Sequence, residues 1–129
     1  MTDSGAYQLV IKIARDSRIS IGALGELDFP AGYYVYTGSA MKNMEKRIER
    51  HLSSDKKLRW HIDYLLADPA ASVTDVVRYY SEEKNECSVN QMIARQPYAE
   101  ILIKNFGNSD CNECPSHLAY FGMINPFDK

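Results

Sequence analysis

Residues 32–53 read GYYVYTGSAMKNMEKRIERHLS, and the period of their apolar positions changes part-way along. From Gly32 to Ala40 the stretch is dense in tyrosine and other strand formers, which predicts a β-strand. From 40 to 53 the period becomes helical. Met41, Met44, Ile48 and Leu52 fall on one stripe and the charged residues fall off it. Upstream, AYQLVIKIA at 6–14 reads as a strand, and RISIGALGELDF at 18–29 as a second strand broken by Gly22 and Gly25, whose glycines signal a turn or bulge. Three strands in close succession favour antiparallel pairing. Downstream, a helix is expected over 56–67 with Leu58, Ile62, Leu65 and Leu66 as its apolar face. A strand follows at 72–80, then a helix at 85–96 that stops before Pro97, then a loop and a short strand from 105. Strands first, then helices with strands between them, predict an α+β fold: a small antiparallel sheet flanked by helices.

The chain has 129 residues, 45% hydrophobic and 25% charged, which suits one domain, 1–129, with a single core and no linker. No apolar run is long enough for a transmembrane helix. The opening MTDSGAYQLV lacks the basic and then apolar character of a signal peptide, and three cysteines cannot all pair within one chain. Both features predict a cytoplasmic protein with no membrane partner. The overall charge of −2 argues against coating nucleic acid by net charge, but its distribution is uneven. Between Lys42 and Arg59 stand seven basic residues (Lys42, Lys46, Arg47, Arg50, Lys56, Lys57, Arg59) and three acids (Glu45, Glu49, Asp55). That segment is +4, leaving −6 for the rest, and such a patch suits an anionic substrate held at one face.

Arg47 and His51 are four residues apart on the first helix and border its apolar stripe. An arginine there can hold a phosphate in a partly dry site, or else run its stem along the surface. Glu86 shares the stripe of Val89 and Ile93 on the third expected helix. A carboxylate on an apolar face needs a cation, a metal or donors; a first-turn glutamate complementing the helix dipole is the simpler account. His61 lies on the stripe of Leu58, Ile62 and Leu65, where a histidine is usually a satisfied core residue. Cys111-x2-Cys114-x2-His117 has the spacing of part of a zinc site, with Cys87 or a histidine as fourth ligand.

The order Gly5-Ala6-Tyr7, Tyr36-Thr37-Gly38, Arg47 and His51 on a helix, and Glu86 on a later helix resembles the GIY-YIG nuclease superfamily. The strings GYYVYTGSA, RIERHL, RWHIDYLL, NECSVNQ and FGNSDCNECPSHLAYF resemble one single-domain branch of it, long catalogued as a domain of unknown function. The resemblance implies a metal-dependent endonuclease hydrolysing phosphodiesters of DNA, ahead of RNA. Tyr7 or Tyr36 would activate or orient the attacking water, Arg47 would bind the scissile phosphate, and Glu86 would hold a magnesium or manganese ion. His51 and His61 match histidines that some relatives place near the site. Gly38, Lys42, Lys46, Arg50, His61 and His117 would contact substrate. The two tripeptides stand about thirty residues apart rather than the roughly ten typical of the superfamily, so RISIGALGELDFPAG is expected to be an inserted hairpin element. The asparagine that closes the site in many relatives has no clear counterpart; Asn90 is too near Glu86, and Asn105 and Asn108 are candidates. Asp110, Ser116 and His117 are further candidates for the cleft wall. Two alternative readings are a catalytically weak nucleic-acid-binding module and an interaction domain stabilised by zinc on Cys111, Cys114 and His117.

Overall fold

The computed structural model of the chain describes residues 3–53, 57–83, 85–107, 114 and 116–127. Its architecture is α+β: a four-stranded antiparallel sheet, a separate two-stranded sheet and, among the described residues, three α-helices. The strands are β1 (Gly5–Ile13), β2 (Ser17–Ser20), β3 (Glu26–Phe29), β4 (Gly32–Ala40), β5 (Ala71–Tyr80) and β6 (Leu118–Tyr120). The helices are α1 (Met44–Leu52), α2 (His61–Leu66) and α3 (Glu86–Ala94). No helix among the described residues is long and apolar enough to cross a membrane.

The main sheet has the order β5-β1-β4-β6, so β1 lies inside it and both faces of β1 are covered. Tyr7, Leu9, Ile11 and Ile13 face one way, packing with Tyr34 and Tyr36 of β4, Met44 and Ile48 of α1, Ile62 and Leu65 of α2, and Phe29. Val10 faces the other way, against Val35, Ile93 of α3, Ala119 and Phe121. Burial on both faces is why AYQLVIKIA is nearly continuous in apolar residues rather than strictly alternating. Its polar interior member, Gln8, is satisfied: its amide donates to Thr37 Oγ1 at 3.1 Å and its carbonyl accepts from the Tyr79 hydroxyl at 2.8 Å.

The stretch 18–29 is not one broken strand. β2 and β3 pair with each other, Ser17 opposite Phe29 and Ser20 opposite Glu26, around a 3-10 turn over Gly22–Leu24. Gly22 (φ 46°) and Gly25 (φ 79°) sit in the left-handed region at either end, where side chains are disfavoured, and so reverse the chain. The stretch is a hairpin, as expected. It forms its own sheet, and β1 pairs with β4 instead of the next strand in sequence.

Two helices also differ from the sequence expectation. Met41 and Leu52 belong to the expected α1 stripe but are 46% and 54% exposed, because in so short a helix it is Met44 and Ile48 that meet the sheet. The second helix starts at His61, not near 56, and Leu58 is exposed ahead of it. The cause is Asp63, whose carboxylate accepts from the backbone N–H groups of Arg59 and Trp60 at 2.9 Å each and so caps the first turn. The same carboxylate takes both prongs of the Arg50 guanidinium, at 2.9 and 3.0 Å. A wholly buried acid on an apolar helix face is thus neutralised by a cation from α1.

Burial would raise the Asp63 pKa, but the Arg50 fork and the two backbone donors outweigh it, and the carboxyl is held below its ordinary value. Stability from this ion pair is therefore full above the unfolded carboxyl pKa of about 3.9 and is lost as pH falls towards the lowered folded value. We expect Asp63→Asn to lower unfolding free energy by about 2–3 kcal/mol at pH 7. This is below the range for fully buried pairs because Arg50 keeps 26% of its side chain exposed. Urea unfolding at pH 7 and pH 3 checks both parts; the difference between wild type and variant should narrow at the lower pH.

Candidate active site

β1 and β4 pair with Tyr7 opposite Gly38 and Leu9 opposite Tyr36. Side chains two apart share a face, so Tyr7 and Tyr36 are diagonal neighbours on the side that carries α1. Gly38 is what allows this placement. A Cβ built there would lie 2.6 Å from the Tyr7 hydroxyl oxygen and 2.7 Å from Cζ, so the Tyr7 ring occupies the space a side chain would need. Gly38, expected to contact substrate, thus makes room for a tyrosine.

The hydroxyl of Tyr7 shares a 2.7 Å hydrogen bond with Nε2 of His51, which is buried in α1. Burial raises the pKa of Tyr7 strongly; Arg47 opposes the shift, while Glu86 and Asp63 add to it. Tyr36 is pushed up as well, again chiefly by burial. Burial thus favours the neutral phenol over the phenolate at both tyrosines.

Tyr7, Tyr36, Arg47, Glu86, His61 and Trp60 line one cavity of about 560 Å³. They come from β1, β4, α1, the start of α3 and the segment entering α2, so residues far apart in sequence meet in one cleft. Arg47 Nη1 donates to the carbonyl oxygen of Ser39 at 2.7 Å, and Ser39 Oγ donates to Glu86 Oε1 at 3.0 Å. A cation and a carboxylate are thereby fixed on either side of the end of β4. Glu86 Oε2 is 3.4 Å from Nδ1 of the buried His117. His61 accepts the Gly107 N–H on Nδ1 at 3.0 Å, and burial lowers its pKa, so the neutral ring carries its proton on Nε2.

The remaining candidates lie elsewhere. Lys42 and Lys46 are exposed and do not line the cavity. Arg50 is occupied by Asp63 and also donates to the Lys57 carbonyl at 2.9 Å, which accounts for it as a structural cation. Asn90 is buried and donates to the Ser116 carbonyl at 2.7 Å, Ser116 Oγ accepts from the Leu118 N–H, and Asn105 is exposed. Asn108, Asp110 and Cys111 lie outside the described residues.

Several cleft residues carry little or no mark in the sequence. The foremost is Trp60, whose ring has the Arg50 guanidinium 4.4 Å and the Arg47 guanidinium 5.2 Å from its centroid. Such stacking restricts the arginine rotamers before any ligand arrives. The available signal was a lone tryptophan between Arg59 and His61 in a basic segment. Arg59 is marked in the sequence only as a member of the basic 42–59 segment, and Ser39 has no local signal.

Three soft donors also meet: Cys87, Cys114 and His117, with ligand atoms within 4.8 Å of one another. The expected zinc set was Cys111, Cys114 and His117. Cys87, named there only as a possible fourth member, is brought in by α3.

Gly38→Ala should displace the Tyr7 ring and break its contact with His51. We expect a loss of about 1–3 kcal/mol from overpacking, read by urea unfolding. The His51 ring proton resonances should shift in the NMR spectrum.

Comparison with curated proteins and with solved structures finds no match to this chain. Residues 6–128 match the profile of the family described as "Domain of unknown function DUF123". The match takes in every residue that lines the cleft, and the chain is a member of the DUF123 family.

Proposed function

We propose that the protein is a metal-dependent endonuclease of the GIY-YIG kind, acting on DNA or RNA phosphodiesters. The observation that supports this most is the convergence of Tyr7, Tyr36, Arg47 and Glu86 on one cleft, from four separate elements. A pure binding surface has no use for a carboxylate facing a phosphate. Phosphodiester hydrolysis, by contrast, needs an aligned water, a cation on the phosphate and a metal at charged oxygens.

A magnesium or manganese ion fits here: Glu86 gives one carboxylate at the wall of a roomy cavity, and such ions keep several waters and take phosphate oxygens as ligands. When bound it would neutralise charge on the phosphate. Arg47, pinned by Ser39 and stacked at Trp60, presents the rest of its fork to a phosphate. Burial favours the protonated form of Tyr7. Tyr7 orients the attacking water through its hydroxyl oxygen, with its own proton directed to Nε2 of His51. His51 is then the group able to accept a proton through Tyr7, which needs the neutral imidazole. Exposed Lys42 and Lys46 supply the approach for the polyanion.

Incubation with single-stranded, duplex and branched DNA and with RNA, in magnesium, manganese or chelator, tests the reading. Cleavage is expected with metal and absent with chelator. Binding without cleavage of any substrate would favour the weak binding module instead. Glu86→Ala should abolish metal-dependent cleavage with the circular dichroism spectrum retained. Arg47→Ala should cost at least about two orders of magnitude in rate, as removal of a charged transition-state donor does.

Nucleic-acid affinity should also respond to the basic approach. Lys42→Ala with Lys46→Ala should weaken binding and reduce the slope of log affinity against log salt by about 2, close to one unit for each phosphate no longer neutralised. Fluorescence anisotropy across a salt series measures this, and an unchanged slope would place the nucleic acid on another face.

A further inference from the structure

Cys87 sits in the first turn of α3, whereas Cys114 and His117 precede β6, so the cluster joins two distant segments of the chain. Cys114 and His117 are buried, and the Cys114 thiol points to the Cys87 carbonyl oxygen at 3.8 Å. Ligand atoms around a tetrahedral zinc are separated by about 3.5–3.8 Å, given Zn–S near 2.3 Å and Zn–N near 2.0 Å. The ligand atoms of the three residues lie within 4.8 Å of one another, close to that spacing once Cys87 is reduced. Two sulfurs and an imidazole suit zinc and do not suit magnesium.

His117 faces Glu86 with Nδ1, at 3.4 Å from Oε2, so Nε2 is the nitrogen that would turn to a metal. A metal-bound imidazole that hands its other nitrogen to a carboxylate is a recurrent arrangement, which fixes the ring and raises its basicity. Glu86 and Cys87 are adjacent residues. An ion at the cluster would therefore hold the first turn of α3 through Cys87 directly and through the Glu86–His117 contact.

We propose that the reduced chain binds zinc through Cys87, Cys114 and His117, with Glu86 as the outer partner of His117, so that the metal fixes the carboxylate at the cleft wall. Cys87 stands here as half of a disulfide, whereas Cys114 carries a thiol. A disulfide and a zinc bond are alternative uses of the same sulfur, so the site belongs to the reduced state. The inference does not depend on hydrolytic activity, and its test reads metal binding alone.

The full chain is purified under a phosphine reductant without chelator, analysed for zinc, then stripped and titrated with cobalt(II). About one zinc per chain is expected, together with a sulfur-to-cobalt charge-transfer band. Cys87→Ser and Cys114→Ser should each weaken metal binding and diminish the band. Glu86→Gln should keep the band but weaken zinc affinity about 10–100-fold, as removal of an outer carboxylate does, measured by competition with a chromophoric chelator. Wild-type protein that is metal-free and gives no sulfur-to-cobalt band overturns the site, and that measurement stands even if a cysteine variant fails to fold. Full affinity in both folded cysteine variants would place the ion elsewhere. Unchanged affinity in Glu86→Gln would overturn the coupling to the cleft.

Discussion

The register between β1 and β4 is the constraint on which the rest of the cleft depends. Tyr7 stands opposite Gly38, and the absence of a side chain there lets the phenol lie across β4. From that position the hydroxyl reaches His51 on the helix that follows β4. A slip of one residue would turn the inward set of a strand to the opposite face, separating Tyr7 from Tyr36 and from α1. The double burial of β1 resists such a slip, because Leu9, Ile11 and Ile13 would leave one core cluster while Val10 left the other.

Around this pair of strands, charged groups are held by mutual contacts rather than by bulk water. Arg50 is consumed in neutralising Asp63, and with Trp60 it builds the wall against which Arg47 stacks. Arg47 in turn is pinned to the carbonyl of Ser39, the same serine whose hydroxyl binds Glu86. The +4 segment therefore divides by role. Arg50 maintains the fold, Arg47 and Arg59 line the cleft, and Lys42 and Lys46 remain in solvent. Glu45, in the same segment, is drawn away by a bidentate contact with Arg78 of β5, at 2.7 and 2.9 Å.

Glu86 links the cleft to the sulfur cluster. One carboxylate oxygen faces Ser39 of the sheet and the other faces His117 of the tail, so the start of α3 is tied on two sides. Asn90, one turn later, adds a buried bond to the Ser116 carbonyl. The short strand β6 and the segment leading into it are thus held by polar contacts to α3 as well as by pairing with β4.

Periodicity in the sequence was enough to determine the α+β class, the strands at 6–14, 32–40 and 72–80, and the amphipathic helix that follows the second of them. That information is local: each period of two or 3.6 residues is written in neighbouring side chains. The inward stripe of Val89 and Ile93, with Glu86 at its head, was legible for the same reason, as were the glycines that break 18–29. Tertiary structure alone decided that this stretch pairs with itself and leaves β1 to β4, because strand partners are chosen by burial across the whole chain. It also decided that Arg50 of α1 meets Asp63 of α2 and so serves the fold, and that Trp60 walls the cleft. The same holds for Cys87 meeting Cys114 and His117. No local pattern encodes these meetings, since each depends on side chains from elements that are neighbours only after the sheet has closed around its core.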